Sequence, residues 1–198
     1  MQFNQIDDMA DYLKDSEIMD YNTSRIQEKA LEISLNSKNQ FETIKNIYEF
    51  VRDEISHSLD INGQKVTFKA SEVLDNVQGI CFAKSNLLAA MLRFLGVPTG
   101  FCYQRLTHEG GYILHGLNAV FLDDKWYRLD ARGNREDVNA QFSVGMEKLA
   151  FPVSKEGEID YPEIYSKPVE SVAAAFNGAE TVKELMEKIP DRLIGSST

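Results

Sequence analysis

The stretch QGICFAKSNLLAAMLRFLGVP, Gln78–Pro98, governs how the rest of the chain is read. Leu87, Leu88, Met91, Leu92 and Leu95 fall at helical spacing and predict a helix from about Cys81 to Leu95. Gly96 stands where a helix C-terminal glycine belongs, and Pro98 prevents continuation. Cys81 therefore opens the helix, and its thiol has two readings. A free cysteine is commonly a small buried hydrophobe. The first turn of a helix, however, offers unpaired N–H groups and the positive end of the dipole, which favour a thiolate. The same N–H groups suit the oxyanion of an acyl intermediate. Gly79, two residues upstream, allows a close backbone turn and leaves space above the sulfur.

Downstream, three strands are expected: VPTGFCYQRL (97–106), Ile113–Leu122 and Lys125–Asp130. Asp123-Asp124 reads as a two-residue turn between the last two. Such a turn pairs Leu122 with Lys125, and the register then sets Leu117 opposite Asp130 and His115 opposite Arg132. His115 and Asp130 fall on one face, diagonally adjacent, about 7–8 Å apart along the backbone and closer at the side chains. One residue more or less in the turn would send them to opposite faces. His115 interrupts an otherwise apolar strand and needs a partner there, either a backbone carbonyl or an acid. Asp130 can be that acid, fixing the imidazole tautomer, or a strand-end acid in a turn.

Upstream, QIDDMADYL predicts a short helix. Thr23 or Ser24 can cap a second one over Arg25–Leu35. Phe41, Ile44, Ile47, Tyr48, Val51 and Ile55 mark a third. HSLDINGQKVTFKA reads as loop, and Ser71–Leu74 as a helical turn. Beyond Arg132, FPVSKEGEIDYP predicts a hairpin around Glu156-Gly157, and 169–176 and 182–189 two short helices. Helices, a central helix, an antiparallel meander and a mixed tail make an α+β pattern. The 198 residues are expected to form one domain: a helical part over about 1–60, a core over about 64–135, and a tail over about 136–198 that completes or covers the core.

Hydrophobic residues make up 43% and charged residues 26%, as in ordinary soluble domains. A net charge of −10 without a basic stripe argues against nucleic acid as a partner. The N-terminal residues lack a signal-peptide pattern, and no run reaches membrane-spanning length. A cytoplasmic location without membrane attachment is expected, with Cys81 and Cys102 reduced. The acidic loops lack calcium-loop spacing, so neither metal nor cofactor is expected.

The two stretches ASEVLDNVQGICFAKSNLLAAMLRFLGVPTGFCYQRL and HGLNAVFLDDKWYRLDA resemble the transglutaminase-like superfamily of papain-like thiol enzymes. The pattern is a short helix, Gly-x-Cys opening a Leu- and Ala-rich helix, Leu-Gly-Val-Pro, a strand His and a second-strand Asp. The resemblance runs from about Ala70 to Asp130 and implies a transglutaminase-like, papain-like α+β fold, with N-terminal helices and the central helix packed on an antiparallel sheet. It implies Cys81, His115 and Asp130 as a catalytic triad for acyl transfer to a protein or peptide substrate through a thioester. Hydrolysis of peptide or side-chain amides is the leading expectation, and transfer to an amine is an alternative. The chain departs from the pattern at Leu117, where an aromatic is frequent, and at Ala131, where Pro is common. Those departures keep open a rival reading, a non-catalytic peptide-binding module on the same fold. Arylamine acetylation uses a similar triad, on a longer chain with an Arg-rich approach to its cysteine.

Further residues have paired readings. Gln78 and Gln64 are oxyanion donors or loop residues. Trp126 lines a groove or packs the sheet. Arg132 and Arg135 read an acidic substrate group or are solvated surface. His57 and His108 are expected to be solvated, and Cys102 to be a packed thiol.

Overall fold

A computed structural model describes residues 2–193. In chain order the elements are β1 (Asn4–Gln5), a 3-10 turn (Met9–Leu13), α1 (Ser24–Ser34), α2 (Gln40–Glu54), β2 (Ser56–His57), α3 (Ala70–Asn76), β3 (Gln78–Gly79) and α4 (Cys81–Phe94). There follow β4 (Thr99–His108), β5 (Gly111–Leu122), β6 (Lys125–Leu129), β7 (Ile159–Asp160), β8 (Glu163–Ile164), α5 (Glu170–Asn177) and α6 (Val182–Lys188). The architecture is α+β. The main sheet is antiparallel in the order β6-β5-β4-β7, and two short parallel pairs, β1-β8 and β2-β3, lie beside it.

The turn that fixes the meander is the expected one. Asp123 and Asp124 both take positive φ, 49° and 60°, the backbone of a two-residue hairpin turn that suits strand twist. Leu122 pairs with Lys125, and Asn118 with Leu129. The β4-β5 hairpin closes in the same way through Glu109 and Gly110, so both strands run further than their apolar cores suggest.

Three expectations need correction. QIDDMADYL yields only the 3-10 turn; the Tyr12 hydroxyl instead reaches across to donate to the Ile164 carbonyl at 2.6 Å. The tail hairpin around Glu156-Gly157 does not form. The Glu158 carboxylate accepts from the backbone N–H groups of Ser154, Lys155 and Thr107, which folds the segment into a capped loop. That leaves Ile159 and Asp160 to pair with Arg105 and Gln104 on β4. The loop after α2 begins with a paired segment, since Ser56 and His57 align with Gln78 and Gly79.

α4 packs against α1, α2 and α3 and against β4 and β5. Its apolar stripe is only part of the story, because every residue from Cys81 to Arg93 is buried. Three of the polar ones, Lys84, Asn86 and Arg93, donate to carbonyls. Asn86 donates to Phe68 O at 2.8 Å, and Arg93 donates to Thr99 O, Lys14 O and Ser166 O. The Lys84 ammonium donates to Arg52 O, Ile55 O and Arg132 O. Burial, with Arg132 nearby, pulls the Lys84 amine down to about 7. Gly116 lets β5 approach the helix, since a Cβ there would lie 2.4 Å from the Phe82 ring. Gly79 likewise has no room for a side chain: a Cβ would lie 2.9 Å from Ala83 Cβ.

Replacing Lys84 by Met keeps the volume but strips three buried carbonyls of their donor. Urea unfolding is expected to show a loss of about 3 kcal/mol; a loss under about 0.5 kcal/mol would mean that the carbonyls are satisfied otherwise. Val77, half exposed at the end of α3, adopts the left-handed conformation at φ 53°, which β-branched residues tolerate poorly. Val77→Asn is expected to raise stability by about 1 kcal/mol in the same assay.

Candidate active site

One cleft of about 520 Å³ is walled among others by His57, Cys81, His115, Arg132, Phe151 and Met186. Cys81 is the first residue of α4, 9% exposed, with its backbone N–H in the turn where helical partners are missing. His115 comes from β5, and Asp130 directly follows β6. The diagonal relation set by the Asp123-Asp124 turn brings His115 Nε2 to 2.8 Å from Asp130 Oδ2.

Asp130 is buried, and its carboxylate is held by three N–H groups. Oδ2 accepts from His115 and from the Ala150 backbone at 2.9 Å, and Oδ1 accepts from the Arg132 backbone at 3.1 Å. The Tyr48 hydroxyl donates to its main-chain carbonyl at 2.9 Å. Burial alone would raise this carboxyl, but the charge and hydrogen bond of His115 outweigh it and hold Asp130 below the usual carboxylate range. An ionised carboxylate only accepts, so Nε2 carries the hydrogen and Nδ1 is left for the thiol. Burial pulls the His115 imidazole down. The Asp130 charge, the Cys81 sulfur and hydrogen bonds to both prevail and push it up to about 10. Phe151 closes over the imidazole edge to face at 5.1 Å.

The second histidine of the cleft has the opposite fate. His57 is 7% exposed, not solvated as its sequence context suggests. Burial, then the positive charge of Arg132, pushes it down to about 3. No apolar alternation or motif marks this position; its burial comes from β2 pairing with β3. The buried Lys84 leaves only a faint mark in the sequence. A lone cation between Ala83 and Leu87 in a helix apolar on several faces was the available signal.

Arg132 lines the cleft but is neither free nor solvated. Both ends of its guanidinium bind the Asp60 carboxylate, at 2.5 and 2.8 Å. Arg135 is exposed and shared between Asp60 and Asp137. Gln78 and Gln64 do not line the cleft of Cys81. The Gln78 side chain folds against Gly63, and Gln64 faces the neighbouring hollow by α6. Trp126 packs between Tyr12 and Phe121 and has no part in the cleft. Cys102 is fully buried, its thiol pushed up to about 12, and both cysteines are free. His108 is exposed at the end of β4. Among the described residues no cluster of three His, Cys, Asp or Glu is arranged to hold a metal ion, and no helix is long and apolar enough to cross a membrane.

A buried thiol at a helix start thus shares one cleft with a histidine held by a buried acid. The chain belongs to the transglutaminase-like superfamily, whose family model matches residues 27–131. The match begins in α1, well upstream of the Ala70 start that the motifs alone support, because α1 and α2 contribute apolar spacing and no motif. A solved structure of a candidate cysteine protease from Cytophaga hutchinsonii shares the fold at 17% identity and a TM-score of 0.55, over 64% of this chain and 43% of that one. A structure described as a TGase aligns at 16% identity and a TM-score of 0.49, over 71% of this chain and 42% of that one. The chain thus spans less than half the length of either. No curated protein matches the sequence.

The His115–Asp130 pair makes stability depend on pH at both ends. A raised imidazole contributes stability that is complete below its ordinary value near 6.5 and is lost as pH climbs towards 10. A lowered carboxyl contributes stability present above its ordinary 3.8 and lost as pH falls below that. Asp130→Asn removes the charge that opposes burial. Histidine NMR titration is therefore expected to find His115 fallen from about 10 to the ordinary imidazole range or lower; an unmoved titration would mean that Asp130 does not set it.

Proposed function

We propose that this chain is a thiol-dependent acyl-transfer enzyme that cleaves peptide or side-chain amide bonds of a protein or peptide substrate through a thioester on Cys81. One observation carries the reading: His115, oriented by Asp130 at 2.8 Å, shares an open cleft with a cysteine at a helix N-terminus. Membership of a family of thiol enzymes supports it, as does the cysteine-protease description of the Cytophaga relative.

His115 takes the thiol proton, and an imidazole pushed as high as about 10 retains it. The Cys81 sulfur attacks the carbonyl carbon, and the electron pair of the carbonyl moves onto oxygen. When the tetrahedral intermediate collapses, the C–N bond breaks and His115 gives its proton to the leaving amine. Water then attacks the thioester, yields a proton to His115, and releases the acid and the sulfur. An amine in place of water gives a cross-linked or exchanged amide instead. Asp130 remains ionised throughout, holding the ring and its positive charge.

The test uses Cys102→Ala as background, since that thiol is sealed in the core. Iodoacetamide alkylation of Cys81 is expected to be rapid, and His115→Ala is expected to slow it. Cys81→Ala is expected to abolish acyl transfer in a peptide and ester screen. An alkylation rate insensitive to His115 would falsify the reading and favour a binding module, and full activity without Cys81 would overturn it by moving the chemistry to another residue.

A further inference from the structure

We propose that His57 is a catalytic residue that donates its Nε2–H to the carbonyl oxygen of the bound acyl group, completing an oxyanion site with the backbone N–H of Cys81. The inference rests on the thioester reading above and adds to it a donor whose position no sequence pattern reveals.

Three observations carry it. The first is placement. β2 aligns His57 with Gly79, and Ser58 N–H donates to Gly79 O at 3.2 Å, so the imidazole is fixed beside the strand that leads directly into Cys81. It walls the same cleft as Cys81 and His115. The second is want of a partner. His57 is 93% buried by its 7% exposure, and its Nδ1 is sealed without a hydrogen bond. Nε2 also makes no hydrogen bond within the described residues, but it is not sealed, and the residue walls the cleft. A buried imidazole left unsatisfied costs free energy, and the fold keeps one here in the wall of the cleft. The third is charge state. With Arg132 and Lys84 nearby, burial keeps this ring neutral, so it has one N–H and cannot compete with His115 as proton carrier. Placing that hydrogen on Nε2 aims the donor into the cleft and leaves only a lone pair in the sealed position.

The chemistry follows. As the sulfur–carbon bond forms, the carbonyl electron pair localises on oxygen, and no proton moves to it. Donors fixed in advance stabilise that oxygen more than the planar carbonyl, and losing one such donor typically costs about 100-fold or more in rate. The Cys81 N–H alone supplies one. His57 supplies the second without reorganisation, because β2 and the surrounding side chains already hold it.

The test separates carbonyl chemistry from thiol chemistry. Cys81 is acylated by p-nitrophenyl acetate through an oxyanion, whereas iodoacetamide alkylates it by displacement with no oxyanion. His57→Leu, in the full chain with Cys102→Ala, is expected to slow the p-nitrophenolate burst about 100-fold and to leave the alkylation rate within about twofold. His57→Gln, which keeps an N–H near the same place, is expected to recover much of the burst. Because His57 has no hydrogen bond to lose, the Leu variant is expected to unfold at no lower urea concentration than its parent. An unchanged burst in His57→Leu would overturn the assignment while leaving the thioester reading intact. Parallel loss of burst and alkylation would overturn it too, since His57 would then serve the thiol or the fold. A parent protein that alkylates but gives no burst would sink the thioester reading and this one with it.

Discussion

A helix buried on every side has to find acceptors for each polar group it carries inward, and α4 does so by using the carbonyls of irregular backbone. Lys84, Asn86 and Arg93 donate to carbonyls at Ile55, Phe68, Thr99, Arg132 and Ser166, most of them beyond the ends of regular elements. Such carbonyls have no ladder partner and would otherwise need water. The helix thus positions the segments around it. Lys84 ties the end of α2 to the stretch after Asp130, and Tyr48 on α2 holds the Asp130 carbonyl from the other side. The acid that orients His115 is therefore set by α2 and α4, although it follows a strand.

Burial acts on both cleft histidines in the same direction, and their neighbours decide the outcome. His115 faces an ionised Asp130 with hydrogen bonds to spare, and desolvation loses. His57 lies among Arg132, Lys84 and the charged His115, and desolvation wins with their help. The Arg132–Asp60 pair spans both environments, since its arginine disfavours charge on His57 and its main-chain N–H steadies Asp130. Two rings of one chemistry are thus pushed in opposite directions within a single cleft.

The part of the fold legible in the sequence was the part written in local rules. Apolar spacing and a glycine stop delimited α4, and the Asp123-Asp124 turn fixed the register that sets His115 against Asp130. The tail misled because a single carboxylate, Glu158, captured three backbone N–H groups and replaced the expected strand pairing. His57 and Arg132 escape local rules for a related reason. Both are buried by contacts with residues distant in sequence, Gly79 and Asp60, and polar residues in a loop-like stretch give no sign of that. Sequence patterns predicted the backbone that holds Cys81 better than the side chains that surround it.

The second cysteine has a consequence of its own. Cys102 lies at zero exposure under a layer formed by Tyr12, Leu117 and Trp126, on strand β4, while Cys81 lines a solvent-connected cleft. The folded chain therefore presents a single titratable sulfhydryl and the unfolded chain presents two. A simple stoichiometric count of modified thiols thus reports the integrity of the sheet, independently of any activity, and distinguishes a protein that is inactive from one that is not folded.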